Sequence, residues 1–237
     1  MKVDKNDRIW ELDAARGIAI ICVCIVHAFY FLDHCSSLII NWSPFFYWVK
    51  QYGGTFFVIL SGLCASLGSG RNVKRAAVVL GCGYVLTLAT ELLHRYGGEN
   101  ETILIRWGVL HMIGFAMFAY MLLRKLPDVL LLVLSLAMIL GGYYLLANVR
   151  VEITWLYPLA LRTDPFYAMD YFPILPHLGW FMFGSLAGKH LYREKKTLLD
   201  RKFRDSAVVR FFSFCGRNSL IIYMVHLPLF YCIANLI

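Results

Sequence analysis

The sequence predicts an all-α integral membrane protein, a bundle of about seven transmembrane helices, and two observations carry this fold class. Of the 237 residues, 59% are hydrophobic and only 16% are charged, and the mean hydropathy of +0.62 lies far above that of a soluble domain of this size. The apolar residues also form long continuous runs. Because lipid offers the backbone no hydrogen-bond partners, such runs cross the bilayer as helices.

The predicted spans follow one another without a long linker, which indicates a single transmembrane domain over residues 1–237. The spans are 14–33, 45–69, 75–93, 103–123, 127–147, 171–190 and 214–236. Most of the 23 Lys and Arg residues lie on alternate flanks of these spans, most densely between Lys189 and Arg217. Basic flanks stay in the cytoplasm, so we expect a multi-pass plasma (inner) membrane protein with a cytoplasmic amino terminus and an outer carboxyl terminus. The net charge of +8 reflects this topology and the lipid bilayer rather than nucleic-acid binding.

The first span begins in "DAARGIAIICVCIVH" (13–27), with an acid and a base at its start and a histidine deep inside. Asp13 lies three residues before Arg16, a spacing at which a carboxylate meets a guanidinium on a helix surface. Arg16 and His27 are eleven residues apart, which on an α-helix is about 16 Å along the axis and within about 20° of one face. We expect them to point into one common space, although an interfacial anchor and a core histidine fit the same pattern.

The second and third spans carry small and polar residues that are typical of helix packing. "QYGGTFF" (51–57) offers Gly and Thr for close helix contact. Thr87, Glu91 and His94 share one face near the end of the third span. We interpret both patterns as interhelical hydrogen bonding rather than chemistry.

Spans four and six each place a histidine at membrane depth. In "IRWGVLHMIGFA" (105–116), His111 lies between Trp107 and Gly114, and a functional role and a packing role fit equally well. In "DYFPILPHLGWFMFG" (170–184), two prolines precede His177, and kinked backbone after Asp170 is typical of a cavity lining. For His177 a structural role is favoured over a functional one.

The last span, "GRNSLIIYMVHLPLFY" (216–231), is the most informative of the later ones. Ser219, Tyr223 and His226 form one polar stripe at helical spacing, and Pro228 frees a backbone carbonyl one turn earlier. The pattern predicts a polar, functional face.

Four histidines at membrane depth leave two other classes of protein open. These residues are His27, His111, His177 and His226. They would suit a bis-histidine haem carrier, or a small-metabolite transporter with a histidine proton relay. No two of them share a predicted span, and the sequence has no internal repeat of the kind that transporters show. The seven cysteines have no paired spacing and predict small core residues, so neither disulfides nor a metal site are expected.

Five blocks, in order along almost the whole chain, carry a family resemblance. They are "RIWELDAARGIAI" with the later histidine, "FFVILSG", "GVLHMIG", "DYFPILPHLGWFMFG" and "GRNSLIIYMVHLP". Together they resemble the small bacterial members of the heparan-α-glucosaminide N-acetyltransferase-like family. The spacing from Arg16 to His27 also looks like the Arg-x10-His pattern of the membrane O-acyltransferases that modify bacterial polysaccharides.

The resemblance implies a membrane-embedded acetyltransferase, and at family level a homodimer. It would take acetyl-CoA on the cytoplasmic side and acetylate an amine or hydroxyl of a glycan or small-molecule acceptor on the far side. It implies His27 as the base or as an acetylated nucleophile, and Arg16 as a contact of the CoA phosphates. The other candidates are Asp33, His34, His226 and Tyr223 near the reacting groups, the last two stabilising the thioester oxyanion; Asp13, His111, Arg71, Arg75 and Arg217 at the coenzyme; and Asp170 and His177 at the acceptor.

Overall fold

Helices form nearly all of the computed structural model, which describes residues 9–35, 44–68 and 72–236. Within this described part there is no β-strand beyond two isolated bridges, and the predicted all-α fold class is confirmed. The helices are α1 (Trp10–Cys35), α2 (Pro44–Leu67), α3 (Asn72–Tyr96), α4 (Val109–Leu123), α5 (Asp128–Asn148), α6 (Ile174–Leu191), α7 (Ala207–Arg217) and α8 (Ser219–Ala234).

Three helical segments among the described residues are long and apolar enough to cross a membrane. They are Trp10–Leu32, Val73–Tyr96 and Asp128–Asn148. The pair α7 and α8 is a fourth candidate if it counts as one span, although the two helices meet at 80°. α4 is apolar but shorter, with 15 residues. The count of seven spans and the orientation of the termini therefore remain predictions.

The fourth predicted span, 103–123, begins too early, because α4 starts at Val109. The preceding residues form a short 3₁₀ turn (Glu101–Ile103) and extended backbone. This backbone pairs with the segment before α6: the N–H of Met169 donates to the carbonyl of Leu104 at 2.9 Å, and that of Phe172 to Trp107 at 2.8 Å. Apolar patterning does not distinguish such paired backbone from helix.

The last predicted span, 214–236, is wrong at its start, because the helix breaks at Asn218. The side-chain amide of Asn218 donates to the carbonyl oxygen of Phe214 at 2.9 Å, which satisfies one of the carbonyls left open at the end of α7. α8 then starts at Ser219 in a new direction. Two helices, and not one continuous helix, thus cover the predicted span.

One compact unit of the fold contains α1, most of α2, α7 and α8. α1 packs against both α7 and α8. At the α1–α7 crossing, a Cβ added to Gly17 would overlap the carbonyl oxygen of Phe212, and one added to Gly216 would overlap that of Asp13. Only glycine permits this approach of two backbones. Buried side chains of this unit include Leu12, Ile20, Phe31, Cys215, Tyr223 and Leu227.

The other compact unit comprises residues 61–191 and is built from the end of α2 and from α3 to α6. α3 packs on α4, α5 packs on α6, and α4 also contacts α6. Leu175 departs from helical geometry between Pro173 and Pro176, as the two prolines predict. Buried side chains of this unit include Ile105, Met112, Ile113, Ala116, Phe181 and Met182.

Candidate active site

The first turns of α1 carry two buried acids that make different contacts. Asp13 Oδ1 lies 3.7 Å from Arg16 Nη1, which confirms the predicted ion pair. Glu11, which sequence reasoning missed, accepts hydrogen bonds from the Thr197 hydroxyl at 2.8 Å and from the Leu198 N–H at 2.7 Å. Its carboxylate therefore anchors the basic loop that follows α6. The only signal in the sequence was an acid in the first turn of an apolar helix.

Deeper along α1, His27 pairs with His226 of α8. The His27 Nδ1 lies 2.7 Å from the His226 Nε2, and the two rings lie edge to edge and nearly in one plane, with centroids 5.0 Å apart and 12° between their planes. His226 is only 4% exposed, whereas His27 is half-buried. Sequence reasoning named both residues but did not predict that they touch.

The hydrogen bonds fix the proton positions in this pair when both rings are neutral. The His226 Nδ1 lies 2.7 Å from the backbone carbonyl oxygen of Tyr223, which can only accept, so this nitrogen carries the proton. The His226 Nε2 is then an acceptor, and the His27 Nδ1 donates to it. The lone pair of His27 is left on Nε2, which is where a general base or a nucleophile needs it.

The ring of Tyr223 packs edge-on against both members of the pair. The centroid distances are 6.3 Å to His27 and 5.0 Å to His226. Tyr223 is buried, so it covers the pair from one side. Asp33 and His34 belong to the last turn of α1, and their side chains lie outside the described residues.

The separation of the two histidines fits a shared proton rather than a metal ion. Two imidazole nitrogens that bind one tetrahedral metal ion, each about 2 Å from it, lie about 3.3 Å apart, and the two axial nitrogens of a haem lie about 4 Å apart. The 2.7 Å between the His27 Nδ1 and the His226 Nε2 is shorter than either separation. The bis-histidine haem alternative does not fit the pair as it is placed. In the described part of the chain, no three His, Cys, Asp or Glu residues form a group that could hold a metal ion. None of the six cysteines with described side chains forms a disulfide. The core position expected of them is found for Cys215, whereas four others are half-buried and Cys232 is exposed.

His111 of α4 lies in the other unit, fully buried, and both of its ring nitrogens have partners. Its Nδ1 accepts from the N–H of Gly108 at 3.2 Å, and its Nε2 lies 3.2 Å from the Thr87 Oγ1. Because the Thr87 hydroxyl donates to the carbonyl of Ile105 at 2.7 Å, the His111 Nε2 is the donor to Thr87. The interhelical hydrogen bonding predicted for Thr87, Glu91 and His94 is confirmed for Thr87 only. Glu91 accepts from Arg95 of its own helix, and the His94 Nδ1 lies 2.6 Å from the carbonyl oxygen of Glu99 just after that helix. Neither ring nitrogen of His111 is left to bind a coenzyme. Of the functional role and the packing role, this geometry fits the packing role.

Asp170 and His177 both contact backbone groups of their own unit. Asp170 Oδ2 accepts from the N–H of Val109 at 2.9 Å, at the start of α4, where a carboxylate stabilises the helix end. The His177 Nδ1 donates to the carbonyl of Pro173 at 2.9 Å, and its ring packs 4.8 Å from that of Phe172. Both residues are buried. This geometry fits the structural role favoured for His177 and gives Asp170 a helix-capping role that the sequence did not predict.

The arginines predicted at the coenzyme do not form one cluster in the described residues. Arg75, in the first turn of α3, and Arg217, at the end of α7, are both exposed. Arg217 belongs to the same unit as Arg16 and His27, and Arg75 belongs to the other. Arg71 lies outside the described residues.

Comparison with known proteins agrees with the resemblance read from the five sequence blocks. The family model described as heparan-alpha-glucosaminide N-acetyltransferase, catalytic, matches residues 8–228. No curated protein and no solved structure gives a significant match. The matched region includes the Asp13–Arg16 ion pair and both members of the His27–His226 pair. The chain therefore belongs to the family of the heparan-alpha-glucosaminide N-acetyltransferase catalytic domain.

Proposed function

We propose that the protein is a plasma-membrane acetyltransferase that moves the acetyl group of cytoplasmic acetyl-CoA to an amine or hydroxyl of a sugar acceptor at the outer face. Family membership supports acetyl transfer in general. The observation that carries the assignment to this site is the His27–His226 contact, which leaves the His27 Nε2 without a partner among the described residues. An ionisable ring at membrane depth with one open nitrogen suits proton or acyl transfer.

Arg16 is the proposed contact of the CoA phosphates. It lies near the start of α1, where its guanidinium is held by Asp13, and α1 continues without a break to His27. Eleven residues of helix span about 16 Å. The pantetheine arm would follow this length of α1 and bring the thioester to the His27 Nε2, so that the coenzyme phosphates stay at the cytoplasmic boundary.

In the direct route, the His27 Nε2 takes the proton of the acceptor N–H or O–H while the acceptor nitrogen or oxygen attacks the thioester carbonyl. The C–S bond breaks, and the CoA thiolate takes the proton back from the imidazolium. The products are the acetylated acceptor and CoA. In the alternative route, the His27 Nε2 itself attacks the thioester carbonyl, the C–S bond breaks, and CoA leaves as the thiolate. The acceptor nitrogen or oxygen then attacks the acetyl-histidine, the bond from Nε2 to the acetyl group breaks, and the acceptor proton goes to the CoA thiolate.

Both routes use the same nitrogen, and they differ in whether the protein is acetylated. Incubation with radiolabelled acetyl-CoA in the absence of acceptor, followed by rapid denaturation, separates them. Label retained on wild-type protein but not on His27→Ala indicates the acetyl-histidine route. Absence of label from a protein that turns over indicates the direct route.

His226 has a different role in this proposal from the one its sequence position suggested. Its Nδ1 proton is engaged by the Tyr223 carbonyl, and its Nε2 accepts from His27. Neutral His226 therefore has no donor left for a thioester oxyanion. It is a positioning residue that holds His27 in the tautomer with Nε2 open, and it shares the positive charge when His27 is protonated.

The same histidine pair also suits the second candidate function, a small-metabolite transporter, because it forms a short proton relay. The two candidates differ in their need for a donor. Metabolite flux into proteoliposomes without acetyl-CoA would favour the transporter. Release of CoA that depends on an acceptor would favour the enzyme.

The experiment that tests the proposed function is calorimetric titration of the full chain with acetyl-CoA and, separately, with free CoA. We expect saturable binding of both by the wild type. Arg16→Gln should weaken binding by about tenfold or more, because a charge-assisted hydrogen bond contributes about 1.5–3 kcal/mol. No binding by the folded wild type would refute the donor assignment.

Two matched variants separate a phosphate contact from a structural effect of Arg16. Asp13→Asn breaks the Asp13–Arg16 ion pair but keeps the guanidinium, so it should bind nearly as wild type. Arg124→Gln removes an exposed cation from the end of α4 and should bind unchanged. Equal weakening in Arg16→Gln and Asp13→Asn would show that the ion pair, and not a phosphate contact, is responsible.

A further inference from the structure

The direction of α7 follows from contacts within its own unit. α8 runs alongside α1 in the same sense, since His226 meets His27 and, one turn later, Tyr231 meets Phe31 at 6.3 Å between ring centroids. α7 is bent by 80° from α8 at Asn218. If α1 crosses the membrane, α7 lies close to the plane of the bilayer.

The crossing with α1 sets the depth of α7. Its carboxyl-terminal part approaches Asp13 and Gly17 of α1 through the backbones of Phe212 and Gly216. The Ser213 hydroxyl also reaches the carbonyl of Trp10 at 3.5 Å. α7 is therefore at the level of the Asp13–Arg16 ion pair, where apolar α1 meets the charged boundary.

Around its axis, α7 presents three faces. One face is buried against α1 and includes Ser213, Cys215 and Gly216. A second face is exposed and apolar, formed by Val208, Phe211 and Phe214. The third is exposed and cationic, formed by Arg210 and Arg217. The two arginines are seven residues apart, so they lie two turns, or about 10 Å, from each other on one side of the helix.

Neither Arg210 nor Arg217 has a partner among the described residues. No ion pair or hydrogen bond of either side chain is found there. Two guanidinium groups that pair with no described residue, beside exposed phenylalanine rings, form the pattern of a helix lying in the membrane interface. In such helices the apolar face enters the acyl chains and the cations meet anionic headgroups.

We propose that α7 is an in-plane helix that binds the headgroup phosphates of anionic lipids through Arg210 and Arg217, with Phe211 and Phe214 inserted among the acyl chains. The charges are complementary, and the helix lies at headgroup depth. This binding is independent of acyl transfer. It assigns to lipid an arginine, Arg217, that the sequence placed at the coenzyme.

The test is native mass spectrometry of the full chain released from micelles that contain equal amounts of phosphatidylglycerol and phosphatidylcholine. We expect wild-type protein to retain phosphatidylglycerol preferentially. Arg210→Gln with Arg217→Gln should reduce this preference on the order of tenfold or more, since each cation near an anionic surface strengthens binding about fivefold. Arg124→Gln with Lys125→Gln, which removes two exposed cations from the end of α4, should leave it unchanged. An unchanged preference in the α7 variant, or an equal loss in both variants, would overturn the proposal.

A competition separates lipid from coenzyme as the source of the phosphate. Saturating free CoA should leave the retained phosphatidylglycerol in place. Displacement by CoA would show that the two arginines belong to a coenzyme site and would overturn the lipid assignment. Phe211→Ser with Phe214→Ser provides a variant that keeps the cations; we expect it to lower retention of both lipids without removing the preference for phosphatidylglycerol.

Discussion

His27 and His111 look alike in the sequence, because each is a histidine inside an apolar run, but the structure gives them opposite hydrogen-bonding states. His111 is fully buried, and both of its ring nitrogens have partners, Gly108 three residues before it and Thr87 on the neighbouring helix α3. His27 is half-buried, and its one described partner, His226, comes from a helix 199 residues away. A buried histidine whose nitrogens are both satisfied holds elements together, whereas one with an open nitrogen can take part in chemistry.

The largest expected effect is on catalysis and comes from the open nitrogen. His27→Ala removes the proposed base or nucleophile, so acetyl transfer should fall by about 10²- to 10⁴-fold. It also leaves the buried His226 Nε2 without its donor, which should lower the free energy of unfolding by about 1–3 kcal/mol. The measurement is release of CoA thiol from acetyl-CoA by the protein in vesicles, with glucosamine as the first acceptor. His190→Ala, which removes an exposed histidine from α6, is the matched control and should remain active. Full activity of folded His27→Ala would make the catalytic assignment wrong.

His111→Ala should give the opposite result, with stability lost and chemistry kept. It leaves the N–H of Gly108 without its acceptor and opens a cavity beside Trp107, whose ring stacks on His111 at 5.4 Å. Together these changes should lower the free energy of unfolding by about 3 kcal/mol. The measurement is the midpoint of thermal unfolding in detergent, which should fall. Acetyl transfer per folded molecule should match wild type at a temperature below this midpoint. A stable but inactive His111→Ala protein would remove the contrast between the two histidines.

His226 should show the intermediate effect of a residue that positions the base. His226→Phe keeps an aromatic ring but cannot accept from the His27 Nδ1, so kcat should fall on the order of 10- to 100-fold, with KM for acetyl-CoA unchanged. His226→Gln keeps an acceptor oxygen and should recover part of the loss. Equal activity of the two variants would show that the hydrogen bond to His27 does not matter.

The helices could be predicted because their signal is local. Continuous apolar runs marked α1, α2, α3, α5 and α6 within a few residues of their bounds. The errors arose where backbone groups find partners far along the chain or in side chains. The residues before α4 pair with the segment around 169–172, and the Asn218 side chain ends α7.

The site could be predicted only in part, for the same physical reason. The Asp13–Arg16 pair follows from helical spacing alone, and His27 followed from its position in an apolar run and from the family motifs. Its contact with His226 depends on how α8 packs on α1, which no spacing within the chain encodes. Glu11 was missed because its partners, Thr197 and Leu198, lie in a loop that folds back onto α1.

The smallest expected effect tests how rigidly His111 is held, and it uses two glycines that lie two residues apart on α3. A Cβ added to Gly83 would lie 3.0 Å from the His111 Nδ1 and 3.1 Å from its Cε1, whereas one added to Gly81 would meet nothing within 4 Å. Gly81→Ala should raise the free energy of unfolding by about 0.5–1 kcal/mol, because alanine favours the helix. Gly83→Ala should lose that gain and about 1 kcal/mol more, because a ring fixed at both nitrogens cannot move aside.

The difference between these two variants in thermal unfolding measures the resistance of the ring itself, since the helix-propensity gain is common to both. Equal stabilisation by Gly81→Ala and Gly83→Ala would mean that the His111 ring shifts without cost and that its two hydrogen bonds do not hold it. His111 would then be as free to respond to a ligand as His27, and a coenzyme contact would again be open to it. If only Gly83→Ala lowers the free energy of unfolding and acetyl transfer is unchanged, the His111 ring is held rigidly and takes no part in the reaction. His27 then remains the histidine whose open nitrogen serves the chemistry.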